Sequence, residues 1–311
     1  MSQPSKKELY IGASFAVLAA IVWAGNFIVA RGVATFIPPI GLAFFRWLTA
    51  SVIIFPLAFN KFKNEWPLVK KNLRYFLLTA LTGVALFNTF VYIAGHSTSA
   101  INMALLGTTS SPVFVIIIAA LFFNVKVKPI RIIGLLFCIA GIIVLLSKGS
   151  WQTLLAFEFG SGDLWVVAGA LSFAVYNILV KKKPEGISSV NFLNIIFCLG
   201  TIMLLPFFLI EQSLSPAIGW NQNLYLIILY LGLGTSVISF LLWNAAIQKI
   251  GAVRTSLFGN LIPIFASIEA IFLLGESLTY VHAVSGGLVI VGLLLANSRK
   301  ANEPTPVAAK V

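Results

Sequence analysis

Apolar residues dominate the chain in long runs, separated by short polar or proline-containing stretches. Each run has roughly 18–22 residues, the length with which an α-helix crosses a bilayer. No alternating β-barrel segments occur, so these spans are expected to be helices that satisfy their own backbone hydrogen bonds. The pattern therefore predicts an all-α integral membrane protein with ten transmembrane helices, at about 11–30, 40–59, 74–94, 100–123, 130–147, 164–180, 190–210, 223–246, 254–274 and 281–297.

The chain also repeats itself weakly at an offset of 151 residues. Pro112-Val113-Phe114 in the first half corresponds to Pro263-Ile264-Phe265 in the second, and Gly83 corresponds to Gly234. Since five spans per half is an odd number, the second half must cross the membrane in the opposite direction to the first. The chain is thus predicted to contain two five-helix inverted-topology repeats, an arrangement typical of secondary transporters whose site lies between the halves.

Composition excludes a soluble domain, because 59% of residues are hydrophobic and only 10% are charged. The net charge of +12 is distributed unevenly: 18 of the 21 Lys and Arg residues fall on the side of the two termini, Arg31 and Lys148 fall on the other, and Arg46 lies within a span. This distribution predicts that both termini are cytoplasmic. We interpret the basic surface as a topology signal that contacts anionic lipid, and expect no nucleic-acid partner.

This organisation predicts five segments of the chain. They are a cytoplasmic N-terminus (1–9), a first five-helix repeat (10–147), an external linker (148–163), a second five-helix repeat (164–297) and a disordered cytoplasmic tail (298–311). The short N-terminal stretch has no small-residue cleavage site, so no removable signal peptide is expected. We predict a multi-pass protein of the cell (cytoplasmic or inner) membrane.

Polar and aromatic side chains in corresponding spans are the candidates for a substrate site. Pro112 and Pro263 each remove a helix hydrogen bond and so predict paired kinks, with the carbonyls of Thr108 and Gly259 released beside polar side chains. Amides and aromatics one turn apart share a helix face. The predicted substrate-binding residues are Trp23, Asn26, Asn88, Tyr92, Thr108, Ser111, Tyr176, Asn177, Ser239, Trp243 and Asn260. The alternative is structural: satisfied kinks, packing aromatics, interhelical hydrogen bonds and interfacial anchors.

Two charges lie inside predicted spans and away from the first residues of those spans, and a histidine lies at the end of one span. Arg46 is interpreted as a structural charge that pairs with Glu269, bonds to helix-end carbonyls or snorkels outward. Glu269 is a candidate for proton coupling, as is His96, because both can titrate near neutral pH in a suitable environment. The alternatives are an interhelical hydrogen bond for Glu269 and simple solvation for His96.

No catalytic pattern is present. The sequence has no His, Cys and carboxylate cluster with metal-ligand spacing and no GxxxxGK phosphate loop, so we expect no enzyme activity, cofactor or bound metal. Transport would then be driven by an ion gradient, or it would be facilitative and need no energy source. A channel, a receptor and a lipid-modifying or lipid-flipping membrane protein remain the alternatives from other classes.

Several stretches carry a resemblance to a known family. They are Trp23-Ala24-Gly25-Asn26-Phe27, Arg46, Asn260-Leu261-Ile262-Pro263, Leu274-Gly275-Glu276-Ser277-Leu278 and the glycines Gly286, Gly287 and Gly292. Over residues 10–297 the chain resembles the drug/metabolite transporter superfamily with two tandem EamA-type domains. The resemblance implies that spans 1, 3, 4, 6, 8 and 9 surround a central cavity, that spans 2 and 7 lie outside them, and that spans 5 and 10 lie further away.

The same resemblance implies export of amino acids or similar small amphiphilic metabolites by alternating access. The alternative is an importer or exchanger of another small metabolite or a cationic drug. The expected partners are a small-molecule substrate, membrane lipid and, as coupling ion, a proton, with the protein acting as a monomer or homodimer. Because the candidate residues include no clear fixed charge in the cavity, strongly anionic substrates such as phosphosugars are disfavoured.

Overall fold

A computed structural model describes residues 5–33, 36–98, 100–123, 127–155, 160–215, 217–274 and 279–297. Its regular elements are all helical, with no strand among the described residues. The α-helices are α1 (Lys6–Gly32), α2 (Pro39–Lys71), α3 (Leu73–Ala80), α4 (Phe87–Ser97), α5 (Ala100–Phe123), α6 (Pro129–Leu146), α7 (Trp151–Leu155), α8 (Ser161–Lys181), α9 (Ser189–Leu214), α10 (Gln222–Leu229), α11 (Ser239–Ile250), α12 (Ala252–Leu257), α13 (Ile262–Leu274) and α14 (Tyr280–Asn297).

Nine helical stretches in the described part of the chain are long and apolar enough to cross a membrane. The all-α membrane class is thereby confirmed. The remaining predicted span, the ninth of the ten at 254–274, is also helical, but it is divided into α12, a short 3-10 segment (Phe258–Leu261) and α13. The division falls just before Pro263, which lacks the N–H that a continuous α-helix would donate to Gly259. Ile262 donates to the Gly259 carbonyl instead, which tightens this turn.

Two spans contain π-helical segments that sequence analysis did not predict. One, Leu81–Leu86, joins α3 to α4, and the other, Tyr230–Ile238, joins α10 to α11. The two segments overlap when one is shifted by the 151-residue offset of the sequence repeat. A π-helical turn releases a backbone carbonyl from its usual partner and is frequently found at functional sites.

Helices α2 and α9 hold each other's N-terminal ends through carboxylates. Glu211, near the end of α9, accepts hydrogen bonds from the backbone N–H groups of Ile40 (3.0 Å) and Gly41 (2.6 Å) at the start of α2. Glu65, in the last third of α2, accepts from the backbone of Ser188 (3.0 Å), the N-cap of α9. Both carboxylates accept hydrogen bonds from backbone N–H groups that have no partner within the helix. Their negative charge also interacts favourably with the positive N-terminal end of the helix dipole. The two helices are therefore held antiparallel.

Helices α6 and α14 cross at small residues related by the repeat. Gly134 faces Gly292, and Gly141 faces Ser285, so the two helices run antiparallel. Between these contacts the thiol of Cys138 donates to the carbonyl of its repeat equivalent, Val289, at 3.6 Å. Close backbone approach at small residues is the usual way in which membrane helices pack.

Large apolar side chains cover much of the outer surface of the bundle. Leu57, Leu121, Phe122 and Leu294 are each about two-thirds or more exposed, although all four lie on long helices. So much apolar surface would be unfavourable in water, whereas lipid tails cover it at no cost. The surface therefore fits a bundle surrounded by membrane.

The α6–α14 crossing predicts that Gly292→Ala destabilises the fold. A Cβ at Gly292 would lie 2.5 Å from the carbonyl oxygen of Gly134, so the helices would have to separate, at a cost of about 1–3 kcal/mol. The thermal unfolding temperature of the purified protein in detergent should fall by several degrees.

The matched control is Gly287→Ala in the same helix, where a Cβ meets nothing within 4 Å. This substitution should leave the unfolding temperature unchanged or raise it slightly, because alanine favours helix over glycine. Equal effects of the two substitutions would contradict the observed crossing.

Candidate functional site

A cavity lies among residues from six of the long spans and from the divided helical stretch α12–α13. The empty space between its side chains, including the part that opens at its mouth, is about 650 Å3. The lining residues are Trp23, Asn26, Arg46, Phe87, Asn88, Val91, Gly107, Thr108, Ser111, Pro112, Val166, Ala170, Phe173, Trp243, Ser256, Gly259 and Ile262.

Arg46 of α2 is the charged residue of this lining, and its side chain is 1% exposed. Its Nε donates to Ser236 Oγ at 2.7 Å, and its Nη2 donates to the Thr235 carbonyl at 3.1 Å. The Nη1 atom lies within hydrogen-bond distance of three oxygens: Asn26 Oδ1 (2.9 Å), Asn88 Oδ1 (2.8 Å) and Tyr92 Oη (2.9 Å). These partners are all neutral.

This environment differs from the three that the sequence suggested for Arg46. The guanidinium bonds to side chains and to one carbonyl of other spans, and Glu269 is not among these partners. The resemblance placed span 2 outside the cavity-lining helices, yet α2 contributes Arg46 to the lining. The cavity therefore contains a fixed positive charge, contrary to the expectation from the sequence.

The repeat is visible in two equivalent hydrogen bonds beside the cavity. Tyr92 Oη lies 3.2 Å from Asn26 Oδ1, and Trp243 Nε1 donates to Asn177 Oδ1 at 2.7 Å. Both partners of the second pair are the 151-residue equivalents of the first. The equivalent of Arg46 is Phe197, which packs against Trp47 with ring centroids 4.9 Å apart. The repeat therefore supplies a cation at this position in the first half only.

Four aromatic rings form an apolar wall next to the guanidinium. Trp23 packs edge-on against Phe173 (5.7 Å between centroids) and Phe240 (5.6 Å), and lies 4.9 Å from Trp243. The Trp23 indole also donates to the Thr235 carbonyl at 2.7 Å, the same oxygen that Arg46 contacts. This pairing joins the aromatic wall to the charged group.

The π-helical segment of the second half supplies the acceptors that hold both groups. Thr235 and Ser236 lie within it, and both are completely buried. These two residues were not among the predicted site residues, because hydropathy patterns do not distinguish a π-turn from an α-turn. The signal that could have found them is the Gly-Thr-Ser run, Gly234 to Ser236, opposite Gly83 in the repeat.

Further polar groups of the lining come from α5 and α12. Thr108, Ser111 and Pro112 lie on one face of α5, and Ser256 lies on α12 opposite them. Of the remaining predicted site residues, Trp23, Asn26, Asn88 and Trp243 line the cavity as well. Phe173, Ser256 and Ile262 join them without having been predicted as site residues.

The other predicted site residues are buried behind the lining or lie away from it. Tyr92 and Asn177 support lining residues, as described above. The hydroxyl of Tyr176 donates to Asn244 at 2.7 Å, Ser239 donates to the Gly234 carbonyl, and Asn260 donates to Leu257. Pro263 is buried just after the 3-10 segment, beyond the lining residues Gly259 and Ile262.

The two candidates for proton coupling have different surroundings. Glu269 is partly buried on α13, and His96 is exposed at the end of α4. Glu269 is seven residues beyond Ile262 and therefore on the same helix face as that lining residue. Within the described residues, no cluster of three or more His, Cys, Asp or Glu side chains could hold a metal ion.

A polytopic helical bundle with a polar and aromatic cavity between repeat-related helices is the architecture of a membrane transporter. The chain belongs to the EamA-like transporter family, whose family model matches residues 10–147 and again residues 160–298.

Similar proteins support this family. An uncharacterized transporter of Archaeoglobus fulgidus is 30% identical over 91% of this chain and 96% of its own. A protein of Salmonella typhimurium described as a probable amino-acid metabolite efflux pump is 25% identical over 90% of this chain and 92% of its own. A crystal structure with 17% identity shares the fold, with a TM-score of 0.74 over 96% of this chain and 98% of the other.

The first π-helical segment predicts that Gly83→Ala is strongly destabilising. A Cβ at Gly83 would lie 2.1 Å from the ring of Tyr176, which is completely buried, so the ring or the helix would have to shift within the packed core. Overpacking of this kind costs about 1–3 kcal/mol, so the unfolding temperature should fall by several degrees.

The repeat equivalent provides the control. At Gly234 the nearest atom to an added Cβ is 3.4 Å away, in the ring of Tyr230, so Gly234→Ala should change the unfolding temperature little. A larger loss for Gly234→Ala than for Gly83→Ala would contradict the described packing of Tyr176.

Proposed function

We propose that this protein is a secondary transporter that exports amino acids or similar small amphiphilic metabolites across the cell membrane by alternating access. The observation that carries the proposal is the cavity itself, which combines one guanidinium, several hydroxyls and amides, and an aromatic wall. A small molecule with a polar end and an apolar end matches such a lining.

The topology of the proposal is ten spans in two inverted five-helix repeats with both termini inside. Three features support it: the helical stretch of α12–α13, the antiparallel crossing of the repeat equivalents α6 and α14, and the excess of Lys and Arg on the side of the termini. Inverted repeats make an inward-open and an outward-open arrangement similar in energy, which is the basis of alternating access.

The similar protein of Salmonella typhimurium, described as a probable amino-acid metabolite efflux pump, supports export of this substrate class. The competing proposal, a cationic drug, is disfavoured because Arg46 would repel a cation in a poorly hydrated cavity. Purified protein in proteoliposomes loaded with a radiolabelled amino-acid panel tests the proposal. No saturable efflux of any member, with or without an imposed pH gradient, would refute it.

Trp23→Ala is predicted to lower transport at least tenfold. Trp23 contacts three aromatic rings of the wall and donates to the carbonyl that also contacts Arg46, so its loss disrupts both ends of the site. Initial efflux rates from proteoliposomes give the measurement, and size-exclusion chromatography verifies that the variant is folded.

Trp151→Ala is the matched control, because Trp151 lies on the short helix α7 and is 70% exposed. This variant should transport at the unmodified rate. A folded Trp23→Ala protein with normal efflux would remove the aromatic wall from the proposed site.

Coupling to protons is predicted to depend on Glu269. Glu269→Gln keeps the shape of the side chain but cannot exchange a proton, so the acceleration of efflux by an imposed pH gradient should disappear. His96→Gln should retain that acceleration, because His96 is exposed at the end of α4. If both variants respond to the gradient as the unmodified protein does, neither residue carries the coupling proton.

A further inference from the structure

The buried guanidinium of Arg46 has a charge that no described protein partner neutralises. All of its hydrogen-bond partners among the described residues are neutral, and the described lining of the cavity contains no Asp or Glu. A buried cation without an anion is unfavourable, and intramembrane charges of this kind are usually paired or functional. A bound anion would complete this environment.

A second, independent observation points to the same place. Asn88 is completely buried and lines the cavity, and its Nδ2 has no acceptor among the described residues. The Oδ1 of the same amide accepts from Arg46 at 2.8 Å, so the unused amide donor lies close to the guanidinium. Native structures rarely leave such a buried donor unsatisfied. An acceptor from a ligand would satisfy it.

We infer that Arg46 and Asn88 bind the carboxylate of the substrate, and that the apolar part of the substrate packs on Trp23, Phe173 and Trp243. The inference rests on the proposed transport function and specifies its substrate as an apolar monocarboxylate. A planar guanidinium matches a carboxylate in geometry and charge, and Asn88 supplies a further N–H.

The spacing of the two ends limits the size of the substrate. Trp23 Nε1 and Arg46 Nη2 both contact the carbonyl oxygen of Thr235, so these nitrogens lie within about 6 Å of each other. A carboxylate and an apolar group separated by a few bonds can therefore contact both. The described lining offers an ammonium group no carboxylate, so we take the carboxylate as the charged group that the site recognises.

Differences between the two repeats explain why a substrate would bind the site in one orientation. At the position equivalent to Arg46, the second half has Phe197, and the equivalent of the Tyr92–Asn26 pair is Trp243–Asn177. The guanidinium therefore comes from the first half alone, whereas the aromatic wall combines Trp23 of the first half with Phe173 and Trp243 of the second. An amphiphilic acid binds such a site in one direction only.

Binding to the purified full-length protein in detergent tests the inference without requiring transport. The probes are 4-methylpentanoate, its neutral isostere 4-methylpentanamide, leucine, and 3-methylbutylamine, which lacks the carboxylate. The readouts are thermal stabilisation and the fluorescence of the protein's tryptophans, two of which, Trp23 and Trp243, line the cavity.

We expect saturable binding of 4-methylpentanoate and leucine, with affinities at least tenfold higher than those of the amide and the amine. Equal affinity for the acid and the amide, or tighter binding of the amine, would overturn the inference. This comparison uses the unmodified protein, so it decides the question even where a variant fails to fold.

A substitution then locates the carboxylate site. Asn88→Asp places a carboxylate beside the guanidinium and removes the Nδ2 donor, so the affinity for 4-methylpentanoate should fall at least tenfold while the unfolding temperature is maintained. Asn72→Asp, at the junction of α2 and α3, is the matched control and should bind normally. Normal acid binding by a folded Asn88→Asp protein would overturn the assignment.

Efflux assays in proteoliposomes separate this inference from the proposed function. Acid-selective binding that depends on Asn88, together with no flux of any acid, would retain the site and refute transport. Flux of amines or amides at the rate of the acids would retain transport and refute the carboxylate site.

Discussion

The buried positive charge of Arg46 is the constraint on which the centre of this molecule depends. A guanidinium that is 1% exposed must be held by many acceptors, because burial without them is strongly unfavourable. Those acceptors come from α1, α4 and the π-helical segment before α11, so one side chain of α2 connects four spans. The same carbonyl of Thr235 also fixes the indole of Trp23, which places the aromatic wall beside the charge.

The pseudo-symmetry of the chain accounts for the way in which the long helices pack. The chemistry of the site depends on positions where the two halves carry different residues. Carboxylate caps join α2 to α9, small residues join α6 to α14, and both long spans with π-helical segments occupy equivalent positions. These features occur in both halves because equivalent helices of the two halves pack against each other in the same way. Arg46 has no charged equivalent, since Phe197 fills that position with an aromatic ring. The binding properties of the cavity therefore depend on the residues that the repeat does not share.

Sequence patterns predicted the spans well because lipid imposes a simple requirement on length and hydropathy. They also predicted Trp23, Asn26, Asn88, Thr108, Ser111 and Trp243, all of which line the cavity. They did not predict Thr235 and Ser236, whose role depends on a π-helical backbone that no periodicity reveals. They also placed Asn260 and Ser239 in the site, although both donate to carbonyls of their own segment behind the lining.

The amino-acid sequence by itself determined the membrane class, the helical spans and the repeat, because each follows from the composition and order of residues along one chain. Only the tertiary structure decided the surroundings of Arg46. Its partners are 20 to 190 residues away in sequence, on helices whose rotation and depth depend on packing against all of their neighbours. A charge in a span can be paired, snorkelled or buried among neutral acceptors, and only the three-dimensional arrangement of those neighbours distinguishes these environments.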